Sequence, residues 1–412
     1  MPDQRTQLAA FIDSQHAAQA AFLAALVRVP SDNPPGDCAP HGEAAAALLE
    51  AMGFAVERHP VQADQCIANG MISATNLVIR RTFGDGGGPT IALNAHGDVV
   101  APGEGWSVDP YGAEVKDGVM YGRGVAVSKS DFATYAYALK ALEALDAPLN
   151  GTVELHLTYD EEAGGGIGPQ FLLENGISKP DFAISAGFSY AVVTAHNGCL
   201  HLEVTVAGKS AHAARPDTGH DALEATTAIL TALYGLRDGL RQTLSQVPGI
   251  THPTLVVGLI EGGINTNVVP DKVSFRLDRR LIPEENPAEA EAALRQAIAA
   301  AAAGLPGITV SVRRILLAAP FGPLPGVERL VEPLTRHASA VFGEAVGTGG
   351  LQIYTDARLY TAAGVPTVLY GAGPRSILEA NGHRADEKLV LDDLRRATIV
   401  VAAALAEMLS PG

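Results

Sequence analysis

The chain has 412 residues, with 45 Asp and Glu against 29 Lys and Arg, for a formal net charge of −16. That balance excludes the basic footprint of a nucleic-acid binder and of a polybasic membrane-surface protein. With 47% hydrophobic and 18% charged residues the chain can bury a large core, and its length predicts two or three domains, or two with one built from separated segments.

In chain order, helical periodicity runs over 6–28 and stops before Pro30, and a loop rich in Pro, Asp and Gly covers 31–40. A helix is expected at about 42–52, then strands near 54–59 and 75–82 and a turn at 84–88. The β-rich run Thr90–Asn94 leads straight into His96-Gly97-Asp98, and a helix follows at 132–145. A strand at 152–158 delivers Asp160-Glu161-Glu162, and another lies at 182–185. Strands alternating with helices at this spacing predict an α/β sheet covered on both faces.

The character changes near residue 197. Leu200, Leu202, Val204 and Val206 alternate with polar neighbours, as in a half-solvated strand. A helix at about 220–242, strands near 254–260 and 272–281, a helix at 287–303 and a strand at 308–315 complete the order β-α-β-β-α-β of a ferredoxin-like sandwich. The expected organisation is an α/β catalytic domain in two segments, 1–196 and 317–412, interrupted by an α+β domain at 197–316. The second segment carries a helix at 325–342, a strand at 367–370 and a helix at 391–409.

Three cysteines, Cys38, Cys66 and Cys199, are too few for a disulfide framework, which points to a reducing compartment and a cytoplasmic location. They read as structural or incidental. The first 30 residues show no basic flank before an apolar run, so no secretory signal is expected. No membrane span is expected either.

Five constellations carry candidate chemistry. In an extended segment residues i and i+2 point the same way, so Asp98 is placed to orient the His96 ring for a metal; the plainer reading is a loop histidine beside a capping Asp. The acidic pair after an apolar strand, Glu161-Glu162, suits one metal-binding carboxylate and one general base, or a solvated acidic turn. His383 precedes Asp386-Glu387 and reads as a ligand or as part of a helix N-terminal region. His212, in a turn off a strand, points into a cleft or simply lies at the surface. Asn267 and Arg280 are placed to hold a substrate carboxylate, or belong to a hairpin with a surface ion pair.

Taken in order, the motifs HGD (96–98), YGRG (121–124), DEE-x-GG (160–165), G-x-SAH (208–212), NVVPD (267–271), TDAR (355–358) and H-x-x-DE (383–387) span nearly the whole chain. Together they resemble the aminoacylase / succinyl-diaminopimelate desuccinylase / glutamate carboxypeptidase family of co-catalytic zinc amidohydrolases, within the metallopeptidase superfamily. The resemblance implies an α/β catalytic domain with a mixed central sheet, interrupted by a ferredoxin-like lid or dimerisation domain. It implies hydrolysis of the amide of an N-acyl amino acid or small peptide-like carboxylate. By position it makes His96 a metal ligand and Asp98 its orienting partner. Glu161 becomes the general base on a metal-bound water, and Glu162 and His383 ligate the other metal. His212 stabilises the oxyanion. Asn267, Arg280 and, as a weaker candidate, Arg358 contact the substrate carboxylate. A homodimer through the lid is implied as well.

Two departures stand against the family pattern. The metal-bridging Asp that follows GRG is Val127 here, and the carboxylate expected after the strand at 182–185 is Gly187. Neither side chain binds zinc. A two-metal site is therefore not expected; the expectation is one ion, zinc with manganese or cobalt as alternatives, or none. Asp131, Asp160, His196 and Ser128 are nearby replacement donors, and Lys129 a further cation. Three functions follow: a metal-dependent amidohydrolase, a metal-independent acid–base enzyme (hydrolase, lyase, cyclase or isomerase) on the same scaffold, and a non-catalytic binder of a small carboxylate. No nucleic-acid or membrane partner is expected.

Overall fold

A computed structural model describes residues 4–411, which divide into two compact units. The first comprises the chain up to Thr194, Pro323–Gly349 and the stretch from Thr355 onward; the second comprises Ala195–Gly322 and Gly350–Tyr354.

The first unit is built on an eight-stranded mixed sheet. Its order is Glu57–Pro60, Thr75–Phe83, Gly151–Thr158, Thr90–His96, Phe182–Ser185, Thr367–Leu369, Val192–His196 and Thr348–Leu351. The four strands Gly151–Thr158, Thr90–His96, Phe182–Ser185 and Thr367–Leu369 run parallel to their neighbours in this group, and Thr75–Phe83 joins antiparallel. Parallel strands covered on both faces are uniformly apolar, and Thr90–His96 and Phe182–Ser185 are buried almost throughout. The Ala-rich helix Leu391–Met408 is the core of one layer. It packs against the helices Gln4–Val27, Lys129–Ala144 and Glu328–Phe342. Small side chains let these helices approach closely.

Several short elements escape a reading by periodicity. The helices Ala63–Ala68, Pro169–Glu174 and Ala357–Ala362 have six residues each, too few for a 3.6-residue repeat to declare itself. A three-stranded sheet of Lys388–Val390, Val119–Tyr121 and Glu114–Lys116 is missed for the same reason.

The second unit has the order strand Gly198–Ala207, helix Ala222–Leu240, strands Thr254–Gly262 and Lys272–Leu281, helix Pro287–Ala302 and strand Thr309–Ala318. Its sheet is fully antiparallel, with Gly198–Ala207 between Lys272–Leu281 and Thr309–Ala318 and with Thr254–Gly262 at an edge. This is the ferredoxin-like arrangement. Leu200, Leu202, Val204 and Val206 face the two helices through Ile229, Leu233, Leu294 and Ile298. Each helix is started by a side-chain cap: Asp221 accepts from the N–H groups of Leu223 and Glu224, and Asn286 from those of Ala288 and Glu289. Among the described residues no helix is long and apolar enough to cross a membrane.

Candidate active site

In open α/β sheets, ligands gather at the carboxyl ends of the parallel strands. Here His96 ends one strand and pairs with Thr158, the last residue of the next. The two chains therefore leave the sheet together, and Gly97 N–H donates to the Thr158 carbonyl at 2.8 Å. A Cβ at Gly97 would lie 2.4 Å from the Tyr159 ring, so only glycine permits this closeness.

Asp98 is fully buried and organises the site. Its carboxylate accepts from the Asn33 amide at 3.0 Å and from the backbone N–H groups of Glu161 and Glu162 at 3.3 and 3.1 Å. His96 Nδ1 lies 2.9 Å from the Asp98 carbonyl and 3.3 Å from its carboxylate. Nδ1 is thus the donor, and Nε2 faces Glu161 Oε2 at 3.9 Å. Glu162 in turn lies 3.2 Å from His383 Nε2. The structure places His96 beside Asp98 and Glu161, and Glu162 beside His383. His383 sits in a turn with φ of 60°, half exposed.

The electrostatics are those of crowded acids. Burial drives the Glu161 carboxyl up to about 8; His96 opposes this, while Glu162 and Asp98 add to it. Burial works against a charged His96, but Glu161 and Asp98 outweigh it and hold the imidazolium well above its ordinary range. The bond to Glu162 likewise raises His383.

One member of this cluster was not singled out from the sequence. Asp356 is buried, and burial together with Glu161 pushes its carboxyl up to about 8. Its Oδ2 has no hydrogen-bond partner. The TDAR motif, which holds both Asp356 and Arg358, is the signal for it in the sequence. Arg358 donates to the Gly164 carbonyl and lowers both Glu161 and Asp356 electrostatically, so it balances the acidic cluster. Glu387, the last residue of the H-x-x-DE motif, has a role that the motif does not announce. Its carboxylate accepts from the N–H groups of Gly124, Ala126 and Val127 and from Arg123, which staples the segment bearing His383 to the GRG loop.

The four replacement donors do other work. Ser128 donates to the His96 carbonyl and accepts from its N–H, each at 3.1 Å. Asp131 accepts from Ala372 N–H at 2.7 Å and Gly187 N–H at 3.2 Å, and burial lifts its carboxyl to about 7. Asp160 accepts from Ile167 N–H at 2.6 Å. His196 belongs to the second unit, where its Nδ1 meets the Asn197 carbonyl. The expectation that Lys129 adds a cation to the cleft is corrected: its Nζ donates to the Leu26 and Val29 carbonyls at the end of the first helix. Burial brings this ammonium down to about 7.

A ring nitrogen of His96 and one oxygen each of Glu161 and Glu162 lie within 4.8 Å of one another, and His383 Nε2 lies 3.2 Å from Glu162. Imidazole and carboxylate donors at this spacing, in a cluster with excess negative charge, fit a divalent cation. Val127 and Gly187 contribute no donor atom.

In the second unit, Ala211–His212 pairs with Val268–Val269 in a two-stranded ladder. Ala214 N–H donates to His212 Nδ1 at 3.0 Å, which leaves Nε2 as the protonated nitrogen. Asn267 adjoins this ladder, and its carbonyl accepts from Ala213 N–H at 2.9 Å. Arg280 lies apart on the main sheet, held through Nε by Asp278 at 3.0 Å.

Residues 92–407 match the model of peptidase family M20/M25/M40. The chain belongs to that family. It is 29% identical over 346 residues to an acetylornithine deacetylase of Proteus mirabilis, with 83% of each chain covered. It is 30% identical over 344 residues to a succinyl-diaminopimelate desuccinylase of Wolinella succinogenes, with 80% of this chain and 87% of the relative covered. Its fold superposes on a di-peptidase of Saccharomyces cerevisiae at a TM-score of 0.78, with 15% identity and full coverage of both chains. A Bacillus subtilis protein described as a dinuclear metal binding peptidase of family M20 superposes at 0.70, with 15% identity over 96% of this chain and 99% of that one. This M20 chain is accordingly an amidohydrolase of the metallopeptidase type.

Proposed function

We propose that this M20 chain hydrolyses the amide bond of an N-acyl amino acid or small peptide-like carboxylate. The observation that carries the reading is the meeting of Glu161 with His96, Asp98, Glu162 and the half-exposed His383 at the carboxyl end of the parallel strands. Glu161 takes a proton from the attacking water and passes it to the leaving nitrogen. His212, protonated on Nε2, donates to the carbonyl oxygen as it gains charge. Asn267 and Arg280 are the candidates for the substrate carboxylate and, because they lie apart within one chain, they serve it as alternatives. The named activities of the two relatives support an acyl group as small as acetyl or succinyl.

Glu162 and His383 are the residues to hold one ion, with His96 the remaining candidate ligand at the other position; donor chemistry favours zinc, with manganese or cobalt as alternatives. Such an ion supplies Lewis acidity and a more acidic water. A pair of ions lacks donors at Val127 and Gly187. We further propose a homodimer through the inserted unit and a cytoplasmic location, the latter supported by three free cysteines. The dimer is supported by the edge strand Thr254–Gly262, which exposes Val256, Leu259 and Ile260.

The loss of donors at Val127 and Gly187 favours a second reading, a metal-independent acid–base enzyme on the same scaffold. One experiment separates the two. A panel of N-acetyl and N-succinyl amino acids is assayed before and after exhaustive chelation, with metal content measured. Hydrolysis lost on chelation and restored by zinc or manganese supports the first reading. Activity that survives with no bound metal selects the second, and a chain that turns over no member of the panel in either state overturns the proposed substrate class.

A further inference from the structure

The sheet of the second unit has one face against its helices and one face free of them. On the free face, Cys199 and His201 stand two residues apart on the same strand, so their side chains project together. Asp278 is the direct cross-strand partner of His201, and Arg280 that of Cys199. Register alone therefore assembles a thiol, an imidazole and a carboxylate. His201 Nε2 is 2.8 Å from Asp278 Oδ2 and 3.2 Å from Cys199 Sγ, and Sγ is 3.7 Å from the same Oδ2.

We propose that Cys199, His201 and Asp278 form a site for a zinc-class divalent metal in the inserted unit, additional to the acidic cluster of the first unit. Both acidic partners of His201 converge on the same ring nitrogen, which is unlike a relay, where the nucleophile and the orienting acid occupy opposite nitrogens. Convergence of three donor atoms on one point is instead the geometry of coordination. Tetrahedral zinc with its usual bond lengths separates sulfur from nitrogen or oxygen by about 3.5 Å, and nitrogen from oxygen by about 3.3 Å. The three observed separations lie within roughly 0.6 Å of those values. A thiolate with an imidazole selects zinc or cobalt over calcium or magnesium.

Thiolate and carboxylate together neutralise the ion. Binding forms the metal–sulfur, metal–nitrogen and metal–oxygen bonds and releases to solvent the thiol proton and any proton on Nε2. The His201 and Asp278 side chains are 34% and 30% exposed, which leaves room for a water in the fourth position. Arg280 Nε bonds to Oδ1 of Asp278, the oxygen that the ion does not use. The ion thereby fixes the carboxylate that holds Arg280.

The test titrates the metal-free 412-residue chain with Co2+ and reads the thiolate-to-cobalt charge-transfer absorption in the near ultraviolet. The acidic cluster of the first unit contains no sulfur donor, so this band reports the new site alone. The expected result is a band saturating at one equivalent per chain. It is abolished in Cys199→Ser, weakened more than about tenfold in affinity by His201→Asn, and retained in Glu162→Gln. His201 is partly exposed, so its variant carries the test if the cysteine variant fails to fold by circular dichroism. A folded wild-type chain without the band, a band that persists in Cys199→Ser, or one indifferent to His201→Asn overturns the proposal.

Discussion

In the proposed reaction, Glu161 is the residue on which the chemistry turns. Its replacement by glutamine keeps size and removes the base, so Glu161→Gln is expected to lower kcat by about 10²- to 10⁴-fold; steady-state kinetics, with circular dichroism to confirm the fold, checks it. Gly187 tells a different story. A Cβ there would stand 2.6 Å from the Tyr370 nitrogen and 2.7 Å from the Leu369 carbonyl carbon, both backbone atoms that cannot step aside. Gly187→Ala is therefore expected to destabilise the chain by about 1–3 kcal/mol in denaturant unfolding. The family's carboxylate cannot be put back by a single substitution. HGD is legible because local geometry makes neighbours of i and i+2, and DEE because its acids are consecutive after an apolar strand. Asp356 is not, because it reaches Glu161 from almost two hundred residues away and only burial reveals its charge state.

Among the elements, the strand Gly151–Thr158 does more than carry the acidic pair. It also buries Glu154 against His156 Nε2 at 3.0 Å, Arg80 Nε at 2.8 Å and the Ser178 hydroxyl. Burial alone would raise this carboxyl, but His156, Ser178 and Arg80 outweigh it and bring it down from 4.5 to about 2. A carboxyl lowered in the fold stabilises it above the unfolded value and loses that contribution as pH falls through the folded one. Stability from Glu154 is thus fully present above about pH 5 and fades between about 4.5 and 2. Glu154→Gln is expected to cost about 3 kcal/mol at neutral pH, with the gap to wild type narrowing as acid is added. Urea unfolding of both chains across that range measures it. The sequence predicts a strand at 152–158; it does not say which polar residues on it meet partners from other segments.

At the scale of the whole molecule, the exposed edge strand of the inserted unit makes a prediction about assembly. Leu259→Lys with Ile260→Lys places two charges on that edge and is expected to convert the proposed dimer to a monomer, read by sedimentation or light scattering. A wild-type chain that is already monomeric removes the basis of that proposal.

Periodicity by itself determined the α/β character and the ferredoxin-like order of the second unit, and the motifs stand in order in the sequence itself. These follow from local rules, since side-chain alternation and helical repeat are properties of short stretches. Tertiary structure alone decided where the charges went. It committed Lys129 to the end of the first helix, Asp131 and Ser128 to backbone groups, and Asp356 to Glu161. It also joined Cys199 and His201 to Asp278 across two strands. The physical reason is that an ionisable group takes its state from the dielectric and the neighbours around it, and those are assembled by segments far apart in the chain.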